Sequence, residues 1–280
     1  MSSPAANTPA MLRWSGLTHR GRVRANNEDA FLGLAVDAQG VHHLGKTGEM
    51  PLAASDLVFA VSDGMGGAKS GEFASRIAVD RITRLFPRGF RLAAAGLETG
   101  RADILAELVG AIHQDLLRLG QAYDECTGMG ATLTLAWFAP GKMFFAHVGD
   151  SRLYHLPAAD GIAQLTHDHS EVGRLLREGK ITGREARVHP RRHILEQVLG
   201  AGQQAAEPQI GAVGWEPGDV FALCTDGVTD GLTDNAIEEL IRTPVALRAT
   251  QPPAQRLVDE AVLLSGRDNA TAVVVELSGG

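Results

Sequence analysis

Val58-Phe59-Ala60-Val61-Ser62-Asp63-Gly64 is an apolar strand that runs straight into an aspartate, and the same construction recurs along the chain. Phe144-Phe145-Ala146-His147-Val148-Gly149 leads into Asp150, and Val220-Phe221-Ala222-Leu223-Cys224-Thr225 leads into Asp226-Gly227. A fourth aspartate, Asp268, stands just before the apolar run 272–277. Further runs at 31–36, 132–138 and 151–156 have the length and apolar character of strands. Pro140-Gly141 marks a hairpin, and Asp160-Gly161 marks another. Strands joined by hairpins pair antiparallel, so the chain reads as α+β rather than as an alternating parallel sheet.

Two long helices complete that reading. Ala74, Ala78, Ile82 and Leu85 share one helical face, and Ile104, Leu108 and Ile112 share another. Residues 168–200 differ from their surroundings: Thr182-Gly-Arg-Glu185 fits a capping box, which predicts short helices there. From Arg174 to His193, seven Lys or Arg face two Asp or Glu. Such a run is either a solvated helical face or a basic flap that receives an anion.

Composition narrows the classes. Of 280 residues, 44% are hydrophobic and 21% charged, which suits a folded globular chain. A net charge of −7 argues against a general nucleic-acid binder. Cys126 and Cys224 are too few for a disulfide framework and read as inert thiols. No run has signal-peptide or membrane-spanning character, which predicts a cytoplasmic protein with no membrane partner. Residues 1–10 are small and polar and read as disordered; no linker divides 11–280, which reads as one domain with a flap at about 168–200.

Any one Asp-Gly is better read as a turn. Four strand-end aspartates at one edge of antiparallel sheets are a different matter, because clustered carboxylates repel unless cations neutralise them. An all-oxygen donor set favours Mg²⁺ or Mn²⁺ over zinc, and Gly64 would let a backbone carbonyl approach the same ions.

Seven stretches carry a resemblance to a known family. They are Arg24-Ala-Asn-Asn-Glu-Asp29; Asp63-Gly-Met-Gly-Gly-Ala68 with Gly71-Glu72 and Ala74-Ser75; Gly128-Met-Gly-Ala-Thr132; Gly149-Asp-Ser-Arg152 with Tyr154; Leu165-Thr-His-Asp-His-Ser170; Asp226-Gly-Val-Thr-Asp230; and Asp268-Asn269 with Thr271. In this order and spacing the chain resembles the bacterial branch of the type 2C, metal-dependent serine/threonine protein phosphatases. The resemblance implies a four-layer α-β-β-α sandwich with two central antiparallel sheets and a small helical flap. It also implies two Mn²⁺ or Mg²⁺ ions in the cleft between the sheets, with a third beside them.

Carried over motif by motif, Asp63 bridges the two ions and the Gly64 carbonyl with water completes one of them. Asp226 and Asp268 bind the first ion, Asp29 and Glu28 act around the second through water, and Asp150 holds the third. Arg24 would grip the substrate phosphate, and Arg187, Arg191 and Arg192 of the flap would help bind the substrate. The implied activity is hydrolysis of phosphoserine and phosphothreonine by a water activated between two metals about 3.5–4 Å apart. The implied partners are phosphorylated proteins, a Ser/Thr kinase and its substrates among them, with the phosphatase a monomer. Animal members carry a histidine after the Asp-Gly pair as a candidate acid. Met65 stands there in this chain, so a metal-bound water is the default proton donor and His169 a weaker alternative; Arg152 reads as a fold-bracing ion pair.

Three rival readings are separable. Gly40-Val-His-His-Leu-Gly-Lys-Thr47 matches the phosphate-loop pattern letter for letter, but that pattern needs a helix starting at Lys46-Thr47, and Gly48-Glu-Met-Pro51 is a poor first turn. The stretch reads instead as part of a hairpin before 57–61. His167-Asp-His169 follows a strand, whereas histidine-aspartate hydrolases draw their ligands from helices. A phosphoprotein-binding pseudo-phosphatase would lack metal aspartates, and none is missing here.

Overall fold

The structure is a computed structural model that describes residues 10–52, 55–67, 70–94, 100–159, 161–202 and 205–279, with the backbone alone described at 87–94 and 247. The expected disorder of residues 1–10 falls almost wholly outside these residues, as does Asp160 of the second hairpin. The strands, in chain order, are β1 (Met11–His19), β2 (Asp29–Val36), β3 (Val41–His43), β4 (Thr47–Pro51), β5 (Asp56–Met65), β6 (Gly130–Ala131), β7 (Leu133–Ala139) and β8 (Lys142–Val148). They continue as β9 (Arg152–Leu156), β10 (Ala163–Gln164), β11 (Leu199–Gly200), β12 (Gln209–Gly214), β13 (Val220–Cys224) and β14 (Ala270–Ser278). The α-helices are α1 (Ser70–Ala94), α2 (Arg101–Ala122), α3 (Glu171–Arg177), α4 (Gly183–Val188), α5 (Asp226–Thr229), α6 (Asp234–Arg242) and α7 (Pro253–Leu264).

One sheet runs β10-β9-β13-β14-β1-β4. The other runs β11-β6-β5-β7-β8-β12, with β2 and β3 joined to it beside β5. Every pairing between these strands is antiparallel. The period of two explains the layering. On β5, Leu57, Phe59 and Val61 belong to the apolar layer shared with Phe221, Leu223, Val273 and Val275 of the other sheet. Val58 and Ala60 point the opposite way and pack with Ala74, Ala78, Ile82, Ile104, Leu108 and Ile112 of α1 and α2. On the far side, Ala222, Ala272 and Val274 meet α6 and α7 through Ile237, Leu257 and Val258. The result is the four-layer α-β-β-α sandwich. Strands covered on both faces need apolar residues at every position, which is why their sequences read as continuous runs rather than alternations.

The stretch 40–47 enters a hairpin, as expected of it, and then leaves for the other sheet. β3 pairs backwards with β2, closing a turn in which the Asp37 carboxylate accepts from the amides of Gln39 and Gly40. β4 then crosses to pair with β1 in the other sheet. Thr47 opens a strand, so no helix N-terminus exists there to cradle a phosphate.

Within 168–200 the two short helices are present. The Ser170 hydroxyl caps α3 by accepting from Gly173 N, and Thr182 and Glu185 form the capping box of α4. Among the described residues no helix is long and apolar enough to cross a membrane.

Phe59 is 1% exposed in the layer between the sheets and contacts Trp14 and an edge of Phe138. Phe59→Ala should therefore cost about 3–5 kcal/mol, read as a fall in the urea midpoint with an unchanged m-value. A loss under about 1 kcal/mol would show that this layer is not packed as described.

Candidate metal centre

Strand ends deliver the carboxylates. Asp63 lies near the end of β5, two residues past Val61 and so on the face that looks toward the other sheet. Asp29 opens β2 and is the register partner of Asp63. Asp226 is the first residue of α5, one residue beyond β13, and Asp268 sits in the turn before β14. Because β13 and β14 are antiparallel neighbours, with Cys224 opposite Ala272, those two ends lie together. Asp150 follows β8 in a turn whose Gly149 has φ of 113°. Asp63, Asp150, Asp226, Asp268, Glu28 and Arg24 line one cleft of about 620 Å³.

This cluster is electrostatically strained. Burial, and then the neighbouring carboxylates, push Asp63 and Asp226 well above the usual range. Burial and then Asp168 raise Asp150 to about 7. Burial lifts Asp29 to about 6 against the opposing hydroxyls of Thr271 and Thr225, which donate to its Oδ2 at 2.6 and 2.8 Å. Glu28 is also raised, chiefly by burial. Asp29 Oδ1 and Asp226 Oδ1 are buried without any hydrogen-bond partner.

A buried, unpaired carboxylate oxygen is costly, and a divalent cation supplies what both atoms lack. The donors are all oxygen, the chemistry of Mg²⁺ and Mn²⁺. Among the described residues no three His, Cys, Asp or Glu close on a single point by themselves, whereas Mg²⁺ habitually keeps several waters of its own. Gly64 adds a backbone cradle: a Cβ there would fall 1.9 Å from the Gly71 carbonyl oxygen, so only glycine fits. The residues present fit a divalent-metal site.

Supporting residues carried less signal in the sequence. The Asn269 carboxamide oxygen accepts from Glu28 N at 2.7 Å, and its amide nitrogen donates to the carbonyls of Arg20 and Asn26. It thereby ties the β1–β2 loop to the Asp268 turn. Asn269 and Thr271 belong to the recurring motif, but only the fold reveals what they hold. Thr132 is a second tie. Its hydroxyl accepts from Asp63 N at 2.9 Å and meets Ser151 Oγ at 2.9 Å, joining the Asp63 strand to the Asp150 turn.

Next to it, the His147 ring is buried and lowered to about 3, by burial first and His169 second. Its Nε2 faces the carbonyls of Gly149 and His167, which only accept. That nitrogen therefore carries the proton, and Nδ1 accepts from Thr134.

The arginines are more engaged than their sequence suggests. Arg24 Nη2 donates to Asp268 Oδ2 at 2.5 Å with half of its side chain still exposed, and that bond is the main reason its pKa rises. Arg187 donates to the Leu232 carbonyl at 2.6 Å, Arg191 pairs with Glu171 at 2.8 Å, and Arg192 lies 3.9 Å from Asp230. Of these three, Arg187 and Arg192 face the cavity beside the cleft. Arg152 grips Asp168 through Nε and Nη2 at 2.7–3.2 Å. His169 Nδ1 accepts from Gly149 N at 3.3 Å, a bond within the Asp150 turn. His193, which in the sequence only bounds the basic stretch, reaches the cleft and lies 3.9 Å from Asp226 and 3.8 Å from Asp230.

A fold and a carboxylate cleft of this kind define a class. The model of the family described as protein phosphatase 2C matches residues 50–260. The chain is 31% identical over 277 residues to the serine/threonine protein phosphatase PstP of Mycobacterium tuberculosis, covering 97% of this chain and 46% of that protein. It thus spans about half the length of that relative. It is also 31% identical over 260 residues to the serine/threonine phosphatase stp of Listeria innocua, covering 92% of this chain and 93% of that one.

The solved structure of serine/threonine phosphatase Stp1 from Staphylococcus aureus aligns over 100% of both chains with a TM-score of 0.77 and 27% identity. The catalytic domain of PstP, solved in complex with two manganese ions, aligns over 96% of this chain and 99% of that one with a TM-score of 0.73 and 29% identity. The chain belongs to the protein phosphatase 2C family.

Two outcomes follow from this geometry. Thr132→Val strands Asp63 N and Ser151 Oγ and should weaken Mn²⁺ binding about 10–100-fold by calorimetry, with Thr132→Ser restoring it; equal affinity in both variants would contradict the tie. Raised carboxylates also mean that the metal-free folded chain holds more protons than the unfolded one between about pH 4 and pH 7. In chelator, this contribution to stability is full below that window and lost as pH rises through it. The melting temperature should fall from about pH 5 to about pH 7.5, and added Mn²⁺ should raise it most at the higher pH. A metal-free melting temperature that climbs with pH would contradict the cluster.

Proposed function

We propose that the chain is a metal-dependent phosphatase of phosphoserine and phosphothreonine in proteins, opposing a Ser/Thr kinase. The observation that carries this reading is the cleft of buried carboxylates, two of them with orphaned oxygens, that opens beside the half-exposed Arg24. Asp63, Asp226 and Asp268 would hold a first Mn²⁺ or Mg²⁺, Asp63 with Asp29 and Glu28 acting through water would hold a second, and the Gly64 carbonyl would complete one of the two. Asp150 would hold a third. When bound, such ions supply charge neutralisation and an activated water for displacement at phosphorus.

The chain's own residues do the rest. Asp268 fixes one nitrogen of Arg24, which leaves the remaining donors of the guanidinium for phosphate oxygens and for charge that builds up in the transition state. Asn269 and Thr132 keep Glu28 and Asp63 in place, so the site is set before substrate arrives. The Met65 side chain has no proton to give, so the leaving alkoxide takes its proton from water at the cleft. No Ser, Cys or His is needed as nucleophile.

The partners are phosphorylated proteins, and the phosphatase acts on them as a cytoplasmic monomer. Manganese in the related catalytic domain supports the metal choice.

Hydrolysis of a phosphothreonine peptide tests the proposal. Activity should require Mn²⁺ or Mg²⁺ and vanish with chelator, and Asp226→Asn should lower kcat/KM at least about 100-fold. Activity that survives chelation, or a fully active Asp226→Asn, would overturn it.

A further inference from the structure

A second, larger cavity of about 1110 Å³ adjoins the metal cleft and shares Asp150, His193 and Asp226 with it. Helices α3 and α4 form one wall, the α5–α6 turn another, and the loops that carry Arg22 and Arg267 a third.

Its charges sort into two groups. Some are compensated within the protein: Arg152 pairs with Asp168 at 2.7 Å and lies 4.0 Å from Asp234, and Arg192 lies 3.9 Å from Asp230, while Asp150 and Asp226 belong to the metal cleft. The others are not. Arg22, Arg184, Arg187 and Arg267 line the same cavity with no ion pair to a carboxylate among the described residues. Arg22 donates to the carbonyls of Leu263 and Ser265, and Arg187 to that of Leu232. Such bonds fix the guanidinium planes and leave their charge intact. In a chain of net charge −7, four uncompensated arginines therefore collect in one concavity. Like charges on facing walls repel, and a concave surface focuses their field, so the cavity favours an anionic occupant.

Position identifies that occupant. A polypeptide that puts a phosphorylated residue into the metal cleft must lay its neighbouring residues across an adjoining surface, at about 3.3 Å per extended residue. Exposed Val23, Leu176 and Leu264 border the arginines and offer contacts to its side-chain stems.

We propose that this cavity is the subsite for the chain segment on one side of the phosphorylated residue. It selects an anionic side chain there, a carboxylate or a second phosphate. The arginines responsible differ from the flap set expected from sequence, since Arg191 is tied to Glu171 while Arg22 and Arg267 come from outside the flap. The inference rests on the phosphatase reading and adds which substrates that site prefers.

The test uses the full chain with Mn²⁺ and phosphothreonine peptides identical except for the residues within about four positions of the phosphothreonine on either side. These are glutamate, a second phosphothreonine, alanine or lysine, placed on one side at a time. Acidic and doubly phosphorylated peptides should show KM about five- to tenfold below the lysine peptide, with kcat within about twofold. The effect should appear on one side of the phosphothreonine only and shrink in high salt.

Comparing the glutamate and phosphothreonine arms shows which anion is preferred. Arg184→Glu with Arg267→Glu, both at exposed positions, should invert the order so that the lysine peptide binds better. Mere damage to the fold would weaken all peptides alike. Equal KM across the wild-type series overturns the inference and leaves the phosphatase reading standing, whereas hydrolysis of no peptide at all overturns both.

Discussion

Repulsion among buried carboxylates is the constraint on which this structure turns. Asp63 and Asp226 have other aspartates as their neighbours, and burial has removed the water that would screen them. A fold dominated by apolar layers does not gather such groups without a cation to neutralise them. The cluster is thus a local cost in the metal-free chain. Local cost at a functional site, offset by packing elsewhere, is a common pattern in proteins.

Antiparallel pairing makes the gathering possible. Asp29 and Asp63 meet because β2 and β5 run in opposite directions in register. Asp226 and Asp268 meet because β13 ends where β14 begins. A one-residue slip of β2 against β5 would undo the pairing of Asp29 with Asp63 and turn one of the two carboxylates to the opposite face of the sheet. The buried hydroxyls and amides of Thr132, Thr225, Thr271 and Asn269 then lock these ends together. Packing of Phe59, Phe138 and Phe221 between the sheets holds the two halves of the site at a fixed separation.

Much of this was legible in the residues. Apolar runs that end in aspartate located β5, β8 and β13, and the motif series named the family. What escaped has physical causes. β1 carries Ser15 and Gly16 among its buried positions and shows no clean period, while β12 is a short edge strand with two glycines and few strand formers. The stretch 40–47 was recognisable as part of a hairpin, but the sheet that each piece of 41–51 would join depended on partners at Met11–Ser15 and Leu34–Val36. Charge in the flap was plain, yet which arginines were already bonded depended on Leu232, 45 positions from Arg187, and on Glu171, on the neighbouring helix α3. Long-range pairing decides such questions, and local sequence does not carry it.

On this reading the strand-end carboxylates would hold a pair of divalent ions, with Asp63 a ligand of both. Anomalous diffraction from crystals soaked in Mn²⁺ measures this directly. Two peaks about 3.5–4 Å apart, flanking the Asp63 carboxylate and next to Asp226 and Asp268, are the predicted result. A single peak away from Asp63, or none in the cleft, would contradict it.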